Sequence, residues 1–207
     1  MSEILLSVLI PSIPSRFKMA QELVSELESQ IGNLPVEVLL LMDNKKRSIG
    51  AKREALMQVA NGRFAAYCDD DDMVSRDYCE EIVSAIRGNP DADVVVFTQR
   101  SQINGKSFYV RFGLEYKVPE QAKLLGNGKF KNICRPPWHI CPWRTSLGKK
   151  HHFDDTGFDE DWRWLQKLLP EAHTQARIKK VLHTYRFDEK ISEGDQTIQG
   201  RNNAQSA

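Results

Sequence analysis

Long apolar runs are missing from this chain. Runs such as Val38–Met42 and Val94–Phe97 fall far short of the roughly 20 residues that a membrane helix needs, so no membrane insertion is expected. Glycine (12) and proline (9) are too few for a collagen-like or low-complexity chain, and an apolar share of 41% is too high for global disorder. Cysteine is also sparse. Cys68, Cys79, Cys134 and Cys141 include no C-x-x-C and read as reduced thiols rather than a disulfide framework. Cys134, His139, Cys141, His151 and His152 are metal-binding residue types, but their spacing fits no usual zinc site. No charge dominates: 29 Lys and Arg against 28 Asp and Glu leave +1, so no bulk field draws the chain to nucleic acid or to an anionic membrane. Met1–Ser7 carries Glu3 and no basic stretch, which does not read as a secretory signal and points to the cytoplasm, a host's if the source is viral. The glycine-rich P-loop, the dinucleotide fingerprint and the G-x-S-x-G nucleophile elbow are all absent.

What is present is an alternation of short apolar runs with helical patterns, which predicts an α/β fold with a mostly parallel sheet flanked by helices. Ile4–Ile10 reads as a strand stopped by Pro11-Ser12-Ile13-Pro14-Ser15, because proline removes a donor. Ser15 is then placed to cap a helix carrying Met19, Leu23, Leu27 and Ile31. A second strand, Val36–Met42, ends at Asp43. Ser48-Ile49-Gly50 opens a helix through Ala60, and Arg63–Cys68 is a third strand. A further helix buries Tyr78, Ile82, Val83 and Ile86, and Asp93–Thr98 is a fourth strand. Asn104-Gly105 marks a hairpin between Gln99–Ile103 and Lys106–Phe112. Beyond it come a loop-rich stretch to about residue 152, a helix in the second half of Asp154–Leu169 with Trp162, Leu165 and Leu169 on one side, and a strand or two within Ala176–Phe187. One domain over 1–187 is expected, its pattern changing after about residue 100, with a polar tail (188–207).

The third strand runs straight into Asp69-Asp70-Asp71-Asp72. Four adjacent carboxylates repel one another, and crowding raises their pKa values, so something positive must offset them. A hard divalent ion, Mg2+ or Mn2+, suits oxygen ligands of this kind; the alternative is a solvated acidic turn at a helix start. An EF-hand does not fit, since the run lacks the alternating acidic positions and the distal Glu. In open α/β sheets ligands bind beyond the carboxyl ends of the strands, where Pro11–Ser15, Asp43 and Asp69–Asp72 would converge.

The order VLIPSIPSR, a strand ending in Asp43, then SIGAKREALMQVANGRFAAYCDDDD resembles the family-2-like glycosyltransferases of the GT-A fold. Gly50, Arg53, Ala60, Gly62 and the aspartate run fall into that family's G-x-x-R-N…D-x-D-D pattern, with Glu54 where Asn is usual. Gly157-Phe158-Asp159-Glu160-Asp161-Trp162 is similar to its approach to a catalytic aspartate. The resemblance implies a metal-dependent, inverting hexosyl- or pentosyltransferase using a nucleotide-diphosphate sugar, UDP-sugars first, with a nucleotide-sugar-binding half (1–100) and an acceptor-binding half (101–187). It implies a cation on Asp71, with Asp69 beside it, and ribose contacts from Asp69 or Asp70. Asp43 would read the base, Pro11 and Ser12 would line the nucleotide pocket, and Lys52 or Arg53 would contact base or phosphate. Asp161 would be the general base, with Glu160 as runner-up. A third metal ligand would be His183 or Asp188, although His183 reads more readily as an ordinary strand histidine.

Lys129–His152 interleaves Lys129, Lys131, Arg135, Arg144, Lys149 and Lys150 with Trp138 and Trp143. Trp138, Trp143 and Arg144 are the expected acceptor contacts, since aromatic faces stack on sugars and on bases alike; completion of the core is the competing reading. The acceptor hydroxyl could belong to a saccharide, a protein or a hydroxymethylated DNA base. The alternatives are a nucleotidyltransferase on a related fold, for which PSIPSR lacks the usual glycine-rich loop, and a non-catalytic binding module for nucleotide sugar or nucleic acid.

Overall fold

The computed structural model describes residues 3–187; the polar tail, and Asp188 with it, lies outside the described residues. The first half is built as the periodicity predicts. Strand β1 (Leu6–Ser12) leads through a 3-10 turn (Pro14–Arg16) to helix α1 (Phe17–Ile31), then β2 (Val36–Met42), α2 (Ile49–Val59) and β3 (Phe64–Tyr67). Parallel pairing places β1 between β2 and β3. The chain therefore crosses from one side of β1 to the other, and the crevice of this switch point opens at the strands' carboxyl ends.

Two boundaries differ from expectation. Pro11 does not stop β1, which stays in register with β2 through Ser12↔Met42. Pairing with β3 has already ended at Leu9↔Tyr67, so Pro11 sits where β1 has a neighbour on only one side and its missing N–H leaves no gap. Ser15 caps nothing, because the 3-10 turn carries the chain past it and α1 starts at Phe17 without a side-chain cap. Ser48 does cap α2, accepting from the Ala51 amide at 3.0 Å.

The second half completes and closes the sheet. A two-residue strand β4 (Met73–Val74), helix α3 (Tyr78–Gly88), a long β5 (Val94–Ile103) and β6 (Lys106–Phe112) come first. They are followed by β7 (Ile133–Arg135), β8 (Trp143–Arg144), α4 (Thr145–Lys150), α5 (Glu160–Leu168) and β9 (Gln175–Phe187). The sheet order is β2-β1-β3-β8-β5-β6-β7, with β9 parallel to β5 and pairing β4. The Asn104-Gly105 hairpin forms as predicted, both residues at positive φ. β5 and its extension are one strand rather than two. β9 matters most for position: pairing Val74 with His183 and Met73 with Thr184 carries the end of the described chain back over the aspartate turn.

The core lies between sheet and helices and is heavily aromatic. Trp143, Trp164, Tyr67, Tyr78 and Phe64 are all fully buried. Phe153 stacks on Trp164 at 4.6 Å, with Tyr67 edge-on to both. On α5 the buried stripe is Trp164, Leu165 and Leu168, not Trp162, Leu165 and Leu169. The Trp164 indole N–H reaches the His151 carbonyl at 2.9 Å, which fixes that face inward and leaves Trp162 half-buried. Among the described residues no helix is long and apolar enough to cross a membrane.

Candidate active site

The switch-point crevice holds a cavity of about 620 Å³. Its wall includes Pro11 and Ser12 from the end of β1, Lys52 and Arg53 from α2, and Asp69, Asp70 and Asp71 from the turn after β3. Arg16, Lys45, Arg47 and Arg186 add further positive charge.

The four aspartates do not fan outward together; each has its own partner. Asp69 accepts from Arg53 Nη2 at 3.0 Å, and Arg53 with His139 holds it well below the usual carboxylate range despite burial. Asp70, buried, accepts from Ser12 Oγ at 2.6 Å and Arg16 Nη1 at 2.8 Å. Burial nonetheless raises its pKa. Asp71 faces Arg16 Nη2 at 3.0 Å, yet desolvation and the charge of Asp69 push it up to about 6. Asp72 pairs with His183 Nε2 at 3.2 Å, both side chains almost fully enclosed, and accepts from the Arg186 amide. His183, expected as a metal ligand, is thus turned onto Asp72, an aspartate assigned no role from sequence, because β4–β9 pairing brings it there.

The helix cations are not surface charges. Lys52 is 3% exposed and Arg53 4% exposed. Lys52 Nζ donates to the Ser12 carbonyl at 2.8 Å and lies 2.8 Å from Asp43 Oδ1. Asp43, expected to read the base, does not line the cavity. It neutralises Lys52, which in turn keeps it ionised below its ordinary range. Arg53 lies over the Tyr67 ring and reaches Glu160 Oε1 at 3.3 Å, so Glu160 braces Arg53, while burial raises its own pKa. Arg53 Nη1 is buried without a hydrogen-bond partner among the described residues.

Asp161 is brought to the same place by the first turn of α5. Its Oδ2 accepts from Trp138 Nε1 at 3.0 Å and lies 3.1 Å from His139 Nδ1, while its Oδ1 accepts from the Trp162 amide. His139 also approaches Asp69 Oδ2 at 3.9 Å through Nε2. One buried imidazole therefore links the strand-tip aspartates to Asp161, at ion-pair distances although neither ring nitrogen meets hydrogen-bond geometry. His139 outweighs burial in holding Asp161 well below the carboxylate range, and its own pKa rises in return.

Sequence reasoning treated His139 only as an ill-spaced zinc candidate and passed over Arg16. The signals were the His between two tryptophans and the arginine closing the proline loop, but neither names its partner. Among the described residues no three Cys, His, Asp or Glu side chains gather as a metal cage.

Two acceptor expectations need correction. Trp143 is fully buried in the core, because β8 inserts it beside Ala65 of β3. Arg144 donates to the carbonyls of Pro90 and Ala92 and lies over Phe64. That is the amino end of β3, opposite the site. Trp138 does reach the site, but its ring is stacked on Trp162 at 5.5 Å and under Arg135 at 5.4 Å. Lys149 holds the Ala60 carbonyl and Lys150 pairs with Glu171.

The His139–Asp161 pair has a pH signature. The raised histidine contributes stability that is fully present below its ordinary 6.5 and lost as pH rises through its folded value. The depressed aspartate contributes stability that is present above its ordinary 3.8 and lost as pH falls through its folded value. The stability gap between the wild type and Asp161→Asn, from urea melts across pH, should therefore form a plateau between those values and narrow on both sides. A gap that is flat from acid to alkaline pH would show the pair to be energetically uncoupled.

An α/β sheet with a charged cavity at its switch point, a carboxylate-rich turn and a separate carboxylate beside it is the arrangement of an open α/β protein whose ligand site lies beyond the carboxyl ends of its strands. The sequence profile of glycosyl transferase family 2 matches residues 7–157, and the chain belongs to that family, which sets aside the nucleotidyltransferase alternative. Comparison of the sequence with curated proteins returns no match. Among solved structures it is similar to S. aureus TarS 1-349 in complex with UDP-GlcNAc (TM-score 0.62, 18% identity, 89% of this chain and 59% of that one). The same TarS fragment in complex with UDP gives 0.63, 18%, 89% and 61%; the longer S. aureus TarS structure gives 0.63, 17%, 88% and 37%. The chain thus spans about three-fifths of the TarS 1-349 fragment, and at this identity the likeness shows the GT-A fold.

Proposed function

We propose that this glycosyltransferase moves a sugar from a nucleotide-diphosphate donor, a UDP-sugar first, to an acceptor hydroxyl with inversion. The observation that carries the reading is the convergence of the aspartate turn and Asp161 on one buried histidine beside a cation-rich cavity. Family membership supports the reaction, and the UDP and UDP-GlcNAc held by TarS support a uridine donor.

In this reading Arg53 and Asp69 hold the donor's sugar-diphosphate end, and Lys52 with Ser12 shapes the nucleotide wall. Asp161, kept ionised by His139 and oriented by Trp138, accepts the acceptor's proton as the hydroxyl attacks the anomeric carbon. Glu160 holds Arg53 rather than serving as base. The residues fit a divalent ion as well. Asp71 lines the cavity with only the replaceable Arg16 guanidinium offsetting the crowding of Asp69, Asp70 and Asp72 on it, and Mg2+-type sites are commonly one or two carboxylates completed by substrate phosphates. Bound at Asp71, with Asp69 nearby, Mn2+ or Mg2+ would act as a Lewis acid on the leaving diphosphate. The half-buried Trp162 edge beside Trp138 and Asp161 is where an acceptor ring would stack.

A thermal-shift panel of UDP-, GDP-, CDP- and dTDP-sugars, with and without Mn2+, tests the donor. The true donor should raise Tm by mass action, at least 3 °C at about 100 times its Kd, and more with Mn2+. A flat panel with metal present would overturn the reading.

A further inference from the structure

Four crowded carboxylates need positive charge, and the chain supplies much of it itself. Arg16 is the unusual contributor. It stands on the short 3-10 turn after β1, and its guanidinium spans two aspartates, Nη1 to Asp70 at 2.8 Å and Nη2 to Asp71 at 3.0 Å. Unlike Arg53, it is not locked in the core, with 17% of its side chain exposed at the cavity wall. Asp70 would keep the Ser12 hydroxyl if Arg16 left; Asp71 would need another cation.

Two further features point to an anion in this cavity. Arg53 Nη1 is buried and has no hydrogen-bond partner among the described residues, and a stranded donor of this kind is costly unless a ligand meets it. Among the described residues the wall also carries six Arg and Lys side chains against three carboxylates, an excess suited to a ligand of several negative charges.

We propose that Arg16 is the resident counter-ion of the aspartate turn and becomes a ligand of the donor's diphosphate when a divalent cation takes its place on Asp71. The inference rests on the nucleotide-sugar reading above. A cation on Asp71 competes directly with the guanidinium for the same carboxylate. Once released, the planar fork that bridged Asp70 and Asp71 matches two phosphate oxygens equally well. Charge then stays balanced: the cation compensates the turn, and Arg16 compensates the diphosphate.

The test is calorimetric titration of Arg16→Gln and Arg16→Lys with Mn2+ alone, and with UDP in saturating Mn2+. Arg16→Gln should bind Mn2+ several-fold more tightly, because its competitor is gone, and UDP about tenfold more weakly, because a charge-assisted contact is lost. A merely structural role would weaken both together. Arg16→Lys, which keeps the charge, should bind Mn2+ like the wild type while still losing UDP affinity. It also guards against misfolding of the Gln variant. Unchanged or weaker Mn2+ binding by Arg16→Gln, or unchanged UDP binding, would overturn the proposal. Wild-type protein that binds neither UDP nor any other nucleotide of the panel would instead overturn the donor reading beneath it.

Discussion

Asp161→Asn should lower donor turnover by about 10²–10⁴-fold, the usual worth of a positioned general base, while UDP affinity stays within about twofold. Turnover is read as UDP released from the UDP-sugar that stabilises the chain most. The substitution keeps shape and one acceptor oxygen, so the Trp138 Nε1 contact can persist, but it leaves no group able to take a proton. A carboxylate held far below its ordinary pKa is a weak base in isolation. Its worth lies in position, because the acceptor's O–H bond weakens as the new C–O bond forms and the proton that Asp161 meets is far more acidic than that of a free alcohol. Glu160→Gln should behave differently. Its carboxylate braces Arg53, so its loss should appear as weaker donor binding, with turnover at saturation little changed. If Asp161→Asn retains more than about a third of wild-type turnover, the proton is leaving by another route and the base assignment fails.

The contrast between Asp161 and the residues around it shows which features a sequence can carry. β2 was legible to the residue, since VEVLLLM runs straight into Asp43, and the start of α2 was legible from Ser48-Ile49-Gly50; both are local signals. The aspartate turn was legible as chemistry because four like charges at a strand end demand a partner. The partners themselves were not. Arg16 meets Asp70, His139 meets Asp161, and His183 meets Asp72 only after the chain folds back through β8 and β9, and no spacing rule links them. The tryptophans failed for a related reason. Trp138 and Trp143 share one segment and one composition, yet strand pairing sends one to the site and the other into the core. On α5, helical periodicity left a choice of faces that Trp164's bond to the His151 carbonyl decides. Pro11 misled because a proline ends a strand only where its N–H would have been used.

Gly50→Ala is the second large effect expected, and its sign is set by two opposed terms. Ala is the better helix former by up to about 1 kcal/mol, and Gly50 lies in the first turn of α2. Against that, a Cβ at Gly50 would fall 1.9 Å from the Asp154 carbonyl oxygen and 3.1 Å from that of Thr156. Both are backbone atoms, so no side-chain rotation relieves the overlap. The Gly50 amide also donates to the Thr156 carbonyl at 3.1 Å, and Ser48 donates to Asp155 at 2.6 Å, so the same loop is tied to α2 at two points. Overpacking of this kind costs about 1–3 kcal/mol or somewhat more, and the contact term wins. For a chain of this size that is a fall in Tm of roughly 5–10 °C. The loop leads through Gly157, on the cavity wall, into Glu160 and Asp161, so turnover should fall as well, in the protein that remains folded. Gly88→Ala is the control: nothing lies within 4 Å of its Cβ, and its Tm should be unchanged or slightly higher. If the two variants melt alike, the loop yields freely to α2, and the placement of Asp161 must come instead from Trp138 and His139.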